Sequence, residues 1–133
     1  VSSLTYVQDG VDNTIAQGVP AGQLIVGLPF YSRLWKETKN KSGEIKVSSE
    51  AYGMNRAKSI LTQEGARVHW DDLTGMNYGE FKSGSATYKM WLENDKSLTE
   101  KIRYATGKDV AGLAFWKLGL EDSAIWDTII KYN

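Results

Sequence analysis

The sequence predicts an α/β fold in which two buried strands lie in one parallel sheet. Two apolar runs, residues 24–28 and 110–116, are short and continuous, and a helical pattern lies between them. Such runs are typical of strands covered on both faces, and a helix between two strands is the crossover that parallel pairing requires. Two strands do not complete a sheet. We therefore expect the remaining strands to come from a longer parent protein or from a second copy of the chain.

The spacing of apolar residues predicts a helix near each end of the chain and one before the second buried strand. The first follows a serine pair that can cap it and stops at Gly18. An S-x-x-E capping box of Ser97 and Glu100 begins the second, which ends at Gly107. The last runs from about Ser123 to the end of the chain. The apolar stripe of the first helix is Leu4, Val7, Val11 and Ile15.

Residues 36–96 predict a small α+β insertion between the two buried strands. Its first part, residues 36–46, is polar and rich in lysine, which indicates an exposed hairpin or loop. A helix is predicted over residues 49–64. Two antiparallel strands, residues 66–72 and 86–94, follow with a glycine-rich segment between them.

Composition excludes several classes of function. The 133 residues carry 16 basic and 16 acidic side chains, so no net charge attracts nucleic acid or an anionic membrane. No apolar run approaches the roughly 20 residues of a membrane helix. With no cysteine and one histidine, His69, the sequence offers no thiol nucleophile and no Cys/His zinc site. Asp71, Asp72 and Glu93 lack the spacing of a calcium loop, so we expect no metal.

Aromatic residues stand where both buried strands end. Trp116 ends the second strand, and Tyr31 follows the first, with Arg33 two residues on. Ligands of parallel α/β sheets bind at the carboxyl ends of the strands. A flat, weakly charged aromatic surface suits a sugar, whose apolar C–H face packs on the ring while polar groups bind its oxygens. The alternative is that Trp116 is an aromatic residue of the core.

Three further aromatic residues have two interpretations each. Trp91 and Tyr88 either wall a cleft or form the small core of the insertion, and the core interpretation is favoured. Trp35 either extends the aromatic surface or packs under the hairpin.

Four blocks of sequence carry a family resemblance. They are "LIVGLPFYSRLW", "VHWDD" with "MNYGEF", "YKMWLENDKSLTEKIRYA" and "VAGLAFWKLGLED". In order, they resemble strand seven, the insertion, the insertion's last strand with helix seven, and strand eight of glycoside hydrolase family 18, the chitinase family. The first block is similar to the pattern G-x-P-x-Y-G-R, with Ser32 in place of the second glycine. The last block most resembles the bacterial branch that includes spore-cortex and other peptidoglycan-associated hydrolases.

The resemblance implies that the chain is the C-terminal part of a (β/α)8 TIM barrel, one incomplete domain. Residues 1–35 would be helix six and strand seven, residues 36–96 the α+β insertion, and residues 97–133 helix seven, strand eight and helix eight. The missing N-terminal half of the barrel is then the expected partner, or a strand-exchanged homo-oligomer. The chain begins with valine and shows no signal peptide, which also predicts a longer protein.

The resemblance also implies a site and a mechanism. Trp116 matches the tryptophan that floors the sugar site at the cleavage point, and Tyr31 and Arg33 match lining positions. The family's catalytic motif, D-x-x-D-x-D-x-E, does not occur in this sequence, so no residue here is expected to be catalytic. The parent would hydrolyse chitin or peptidoglycan by substrate assistance, in which the N-acetyl carbonyl of the sugar is the nucleophile. The fragment alone would be inert, and no cofactor is implied.

Two other functions remain open from the sequence. The chain could belong to a non-catalytic, lectin-like carbohydrate-binding protein of the same fold. It could instead be a self-contained α+β interaction domain whose aromatic residues are structural. The resemblance to the family also implies a protein that is secreted, on the cell surface or associated with the spore of a bacterium.

Overall fold

The computed structural model describes residues 1–132. Within them, four α-helices and seven strands follow one another, with a short 3-10 helix (Ala21–Gln23) before the first strand. The elements are α1 (Leu4–Ala16), β1 (Ile25–Pro29), β2 (Tyr31–Lys39), β3 (Ile45–Gly53), α2 (Met54–Gln63), β4 (Arg67–Asp71), β5 (Met76–Ser83), β6 (Ala86–Leu92), α3 (Asp95–Gly107), β7 (Gly112–Trp116) and α4 (Ile125–Ile130).

The two apolar runs form a parallel pair, which confirms the predicted α/β fold. β1 pairs with β7 from Ile25 and Gly112 to Pro29 and Trp116. The prediction that both faces are covered is wrong within residues 1–132. Val26 is 8% exposed, whereas its neighbour Ile25 is 63% exposed. Successive side chains point to opposite faces of a strand, and the helices cover one face of this pair only.

The insertion is a five-stranded antiparallel sheet in the order β3-β2-β6-β5-β4. The glycine-rich segment that was expected only to separate two strands is itself β5. Gly75 and Gly84 stand at its two ends with φ of 65° and 60°, a conformation that glycine adopts at little cost.

The bounds of α2, α3 and α4 differ from the prediction. α4 spans Ile125–Ile130, whereas the final helix was predicted from about Ser123 to the end of the chain. Residues 49–53 belong to β3, so α2 begins only at Met54. α3 begins three residues earlier than predicted, because Asn94 and not Ser97 is its cap. The Asn94 side chain accepts the Ser97 N–H at 3.1 Å, and the Ser97 hydroxyl accepts the Asn94 N–H at 2.9 Å. α1 is capped by Ser3, as predicted, and the last residue of the predicted final helix, Asn133, lies outside the described residues.

Each sheet has its own apolar core. β1 and β7 pack against α1, α3 and α4, with Phe30 fully buried between Phe115 (ring centroids 4.8 Å apart) and Trp126 (5.7 Å). α2 packs on one face of the five-stranded sheet around this second cluster: Leu34, Ala57, Ile60, Leu61, Met90 and Leu92. The opposite face of that sheet adjoins the carboxyl ends of β1 and β7, where the predicted site lies.

Candidate functional site

Tyr31 and Trp116 line one open groove. The groove has a volume of about 460 Å³, and its floor is the uncovered face of the parallel pair. Trp116 is 67% exposed and Tyr31 is partly exposed. The two rings therefore lie on the same rim of the sheet, and the alternative of a core tryptophan is wrong for this chain. The groove is lined by Val1, Ser2, Tyr6, Gly27, Leu28, Pro29, Tyr31, Ala114, Phe115 and Trp116.

The backbone around Trp116 is held from both sides. The Phe30 N–H donates to the Trp116 carbonyl at 2.7 Å, which fixes the end of β7 to the residue before Tyr31. The Met54 N–H donates to the Leu120 carbonyl at 2.7 Å, and a Cβ at Gly53 would lie 2.9 Å from that oxygen. Only glycine allows so close an approach of the two backbones. The peptide bond between Trp116 and Lys117 is cis.

Arg33 lies in an adjoining groove and not beside Trp116. Its Nε donates to the Ser49 hydroxyl at 2.9 Å, so β3 holds the guanidinium. This second groove, of about 210 Å³, also contains Trp35 and Trp91. Both grooves are lined by Val1 and Ser2, so the first residues of the chain stand between the two.

A row of aromatic residues on the open face of the five-stranded sheet was not assigned from sequence. Trp35 is 38% exposed, and the Trp91 and Tyr78 ring centroids are 4.8 Å apart. His69 follows at 5.6 Å from Tyr78. Trp91 therefore walls a groove, and the core interpretation is wrong for it. It is correct for Tyr88, which packs against the α2 cluster.

Strand alternation is the signal that could have found this row. Tyr31, Arg33 and Trp35 are two residues apart, and residues i, i+2 and i+4 of a strand share one face. Trp91 stands between two buried residues, Met90 and Leu92, which marks it as belonging to the opposite face.

Asp71 supports Trp91 from the turn between β4 and β5. Its carboxylate accepts the Thr74 hydroxyl at 2.9 Å, the Leu73 N–H at 3.1 Å and the Trp91 indole N–H at 3.4 Å. These hydrogen bonds, that of Thr74 above all, hold the pKa of Asp71 below its usual value. The indole is thereby oriented by a charged acceptor.

The Trp116 groove offers an apolar and aromatic surface for binding. None of the side chains that line it within residues 1–132 is acidic or basic. The described residues also contain no group of three potential metal ligands, and none of their helices is long and apolar enough to span a membrane. The groove can stack aromatic rings against a ligand and can form hydrogen bonds to it from Tyr31 and the backbone.

Comparison with known proteins identifies the family. The family model for glycosyl hydrolases family 18 matches residues 2–121. The chain belongs to glycosyl hydrolase family 18. It is 29% identical over 121 residues to class V chitinase CHIT5 of Lotus japonicus, an alignment that covers 83% of this chain and 29% of that protein.

Solved structures share the fold. The spore cortex-lytic enzyme SleL of Bacillus megaterium superposes with a TM-score of 0.82 at 23% identity, over 100% of this chain and 30% of that one. A GH18 chitinase of Cycas revoluta, solved in complex with (GlcNAc)4, gives a TM-score of 0.68 at 24% identity, over 92% of this chain and 36% of that one. The chain thus spans about a third of the length of these relatives.

Proposed function

We propose that the chain is the C-terminal portion of a family 18 (β/α)8 barrel that hydrolyses polysaccharides containing N-acetylglucosamine, chitin or peptidoglycan. β1 and β7 would be barrel strands seven and eight. The insertion, predicted to begin at residue 36, would begin at Tyr31, because β2 pairs within the five-stranded sheet, and residues 1–30 and 97–133 would be barrel. The chain would supply part of the sugar-binding cleft.

The open groove between Tyr31 and Trp116 carries this proposal. A tryptophan that is 67% exposed at the end of an apolar strand leaves a large ring in water unless a ligand covers it. Pyranose rings present an apolar face that matches such a surface. The (GlcNAc)4 bound to the Cycas revoluta chitinase supports this class of ligand.

The uncovered face of the parallel pair supports the barrel assignment. Ile25 is 63% exposed on that face, and Gly27 and Ala114 are also exposed. Apolar residues in this position are those that the rest of a barrel would bury. We propose an upstream half of the same protein as the partner, with strand exchange between copies as the other way to cover the face.

Hydrolysis would require residues beyond this sequence. The family's D-x-x-D-x-D-x-E motif does not occur in the 133 residues, so the general acid would come from the upstream half. The chain alone would therefore bind sugar without cleaving it, because loss of general acid catalysis alone costs on the order of 100- to 10,000-fold in rate. With an extracellular polymer as substrate, the protein would be secreted, on the cell surface or associated with the spore of a bacterium.

Titration of the chain with tetra-N-acetylchitotetraose, followed by NMR of the indole N–H signals, tests the proposal. We expect the Trp116 signal to shift and Trp116→Ala to weaken binding about tenfold or more, because the stacking surface is lost. Trp70→Ala is the matched control, since Trp70 lies outside both grooves, and it should bind like the wild type. Equal binding by wild type and Trp116→Ala, or no binding by the wild type, would contradict the proposal.

A further inference from the structure

A fully buried polar network lies behind the two grooves. Ser32, Ser97 and Lys101 are 0% exposed, and Glu93 is 1% exposed. These residues come from three parts of the fold: β2, the end of β6 and α3. Buried charges of this kind persist only where every polar group finds a partner.

Lys101 joins α3 to the start of the chain. Its Nζ donates to both carboxylate oxygens of Glu93 at 2.7 Å and to the Ser2 carbonyl at 2.7 Å. The Ser97 hydroxyl donates to Glu93 Oε2 at 2.8 Å. The segment that separates the Trp116 groove from the Arg33 groove is therefore held by a buried ion pair.

Ser32 connects this pair to the strand that carries the site. The Glu93 N–H donates to the Ser32 hydroxyl at 2.8 Å. The backbone pairing between β2 and β6 ends at Leu34 and Met90, and Ser32 lies two residues beyond Leu34 on β2. The Ser32 hydroxyl therefore connects the two segments beyond the end of their backbone pairing. Ser32 also stands directly between Tyr31 and Arg33. A glycine, as in the family pattern that the sequence resembles, has no hydroxyl to make this bond.

We propose that Ser32 is a positioning residue of the carbohydrate site. Its hydroxyl fixes β2 to Glu93, and the Glu93–Lys101 pair fixes residue 2, so the distance between Tyr31 and the segment at residues 1–3 is set by one continuous chain of hydrogen bonds. That distance sets the width of the Trp116 groove, which Val1, Ser2 and Tyr31 line together. The inference rests on the proposed function, because it assigns Ser32 to the site that binds sugar.

The test compares Ser32→Ala and Ser32→Gly, which remove the hydroxyl, with Ser32→Thr, which keeps it. Ser83→Ala, an exposed serine in the same sheet, is the matched control. Two quantities are measured below the unfolding transition of every variant: hydrogen exchange of the Glu93 amide, and affinity for tetra-N-acetylchitotetraose. The exchange rate of the Glu93 amide reports whether its hydrogen bond to Ser32 is intact. The affinity for the tetrasaccharide reports whether the site residues are correctly positioned.

We expect Ser32→Ala and Ser32→Gly to exchange the Glu93 amide at least tenfold faster and to bind the tetrasaccharide about tenfold more weakly, because a buried donor loses its acceptor. Ser32→Thr should bind the tetrasaccharide with an affinity within about threefold of wild type. If its extra methyl group prevents folding, Ser32→Ala and Ser32→Gly should still show the same loss of affinity as each other. Faster exchange with unchanged affinity would overturn the proposal and leave a purely structural bond. No binding by the wild type would instead overturn the proposed function itself, and this inference with it.

Discussion

The two sheets of this chain differ in the face that no helix covers. The five-stranded sheet is packed by α2 on one face, and its other face carries polar groups, including the Lys89–Glu37 ion pair at 2.9 Å, beside its aromatic row. The parallel pair is packed by three helices on one face, but the other face presents Ile25, Ala114 and Trp116. The first sheet is therefore suited to water on its open face, whereas the second requires a cover. The proposed sugar site lies where the two meet.

The largest effect is expected where the buried ion pair that joins the two regions is removed. Lys101→Met removes the cation that pairs with buried Glu93. Burial raises the pKa of the Glu93 carboxyl, because water is excluded from it. The positive charge of Lys101 opposes this effect most, followed by the hydrogen bonds from Lys101 and Ser97 and the charge of the N-terminus. We expect the free energy of unfolding to fall by about 3–5 kcal/mol, measured by urea denaturation.

Two further variants decide what that loss means. Lys58→Met removes an exposed lysine from α2 and should change the free energy of unfolding by less than about 0.5 kcal/mol. Replacement of both partners, Glu93→Leu with Lys101→Met, should recover part of the loss, because no unpaired charge remains. A single variant Lys101→Met as stable as the control would show that the pair does not join the regions.

The next prediction concerns the two faces of the parallel pair. Val26 and Ile25 are neighbours on one strand, 8% and 63% exposed. Val26→Ala should lower the free energy of unfolding by about 2 kcal/mol, because it removes buried methyl groups from the core. Ile25→Ala should change it by less than about 0.5 kcal/mol in this chain.

Thermal or urea unfolding of the two variants side by side measures the difference. If Ile25→Ala costs as much as Val26→Ala, the second face is covered in solution by another copy of the chain. Dilution of the sample would then reduce the cost, since association depends on concentration. A cost that is equal at all concentrations would contradict the open face described above.

The sequence predicted the parallel region better than the insertion, for a physical reason. The elements of the parallel region bury continuous or periodic apolar residues, and such a pattern can be recognised within a short stretch of sequence. No residue of β3 is buried, and its exposed apolar residues Ile45 and Val47 are too few to mark a strand face. β5 contains Gly79, where a Cβ would lie 2.8 Å from the Leu61 side chain. That glycine makes room for α2, and only the tertiary packing distinguishes it from a loop glycine.

The candidate site was predictable where it depended on strand ends. Tyr31 and Trp116 were expected to lie together because parallel strands end on the same edge. Proximity in sequence predicts that Arg33 lies with them. In the structure a new strand, β2, begins at Tyr31 and carries Arg33 into the next sheet. Pro29 marks the end of the first buried strand, but no local pattern shows that the next residues enter a different sheet. The role of Tyr31, Arg33 and Trp116 in binding sugar stays a prediction.

The smallest expected effect concerns the turn that joins β4 to β5 and also contacts α1, where the Leu4 N–H donates to the Thr74 carbonyl at 2.7 Å. The pKa of Asp71 is lowered in the folded protein, so its stabilising contribution is present above its unfolded pKa and is lost as the pH falls through the folded value. Thr74→Val removes the main hydrogen bond and should raise the pKa of Asp71 toward 3.8, as followed by the NMR shift of its carboxyl carbon. Thr87→Val is the control. If the Asp71 pKa did not move, its support would come from the Leu73 N–H and the Trp91 indole, and the turn would couple the aromatic row to α1 without the threonine hydroxyl.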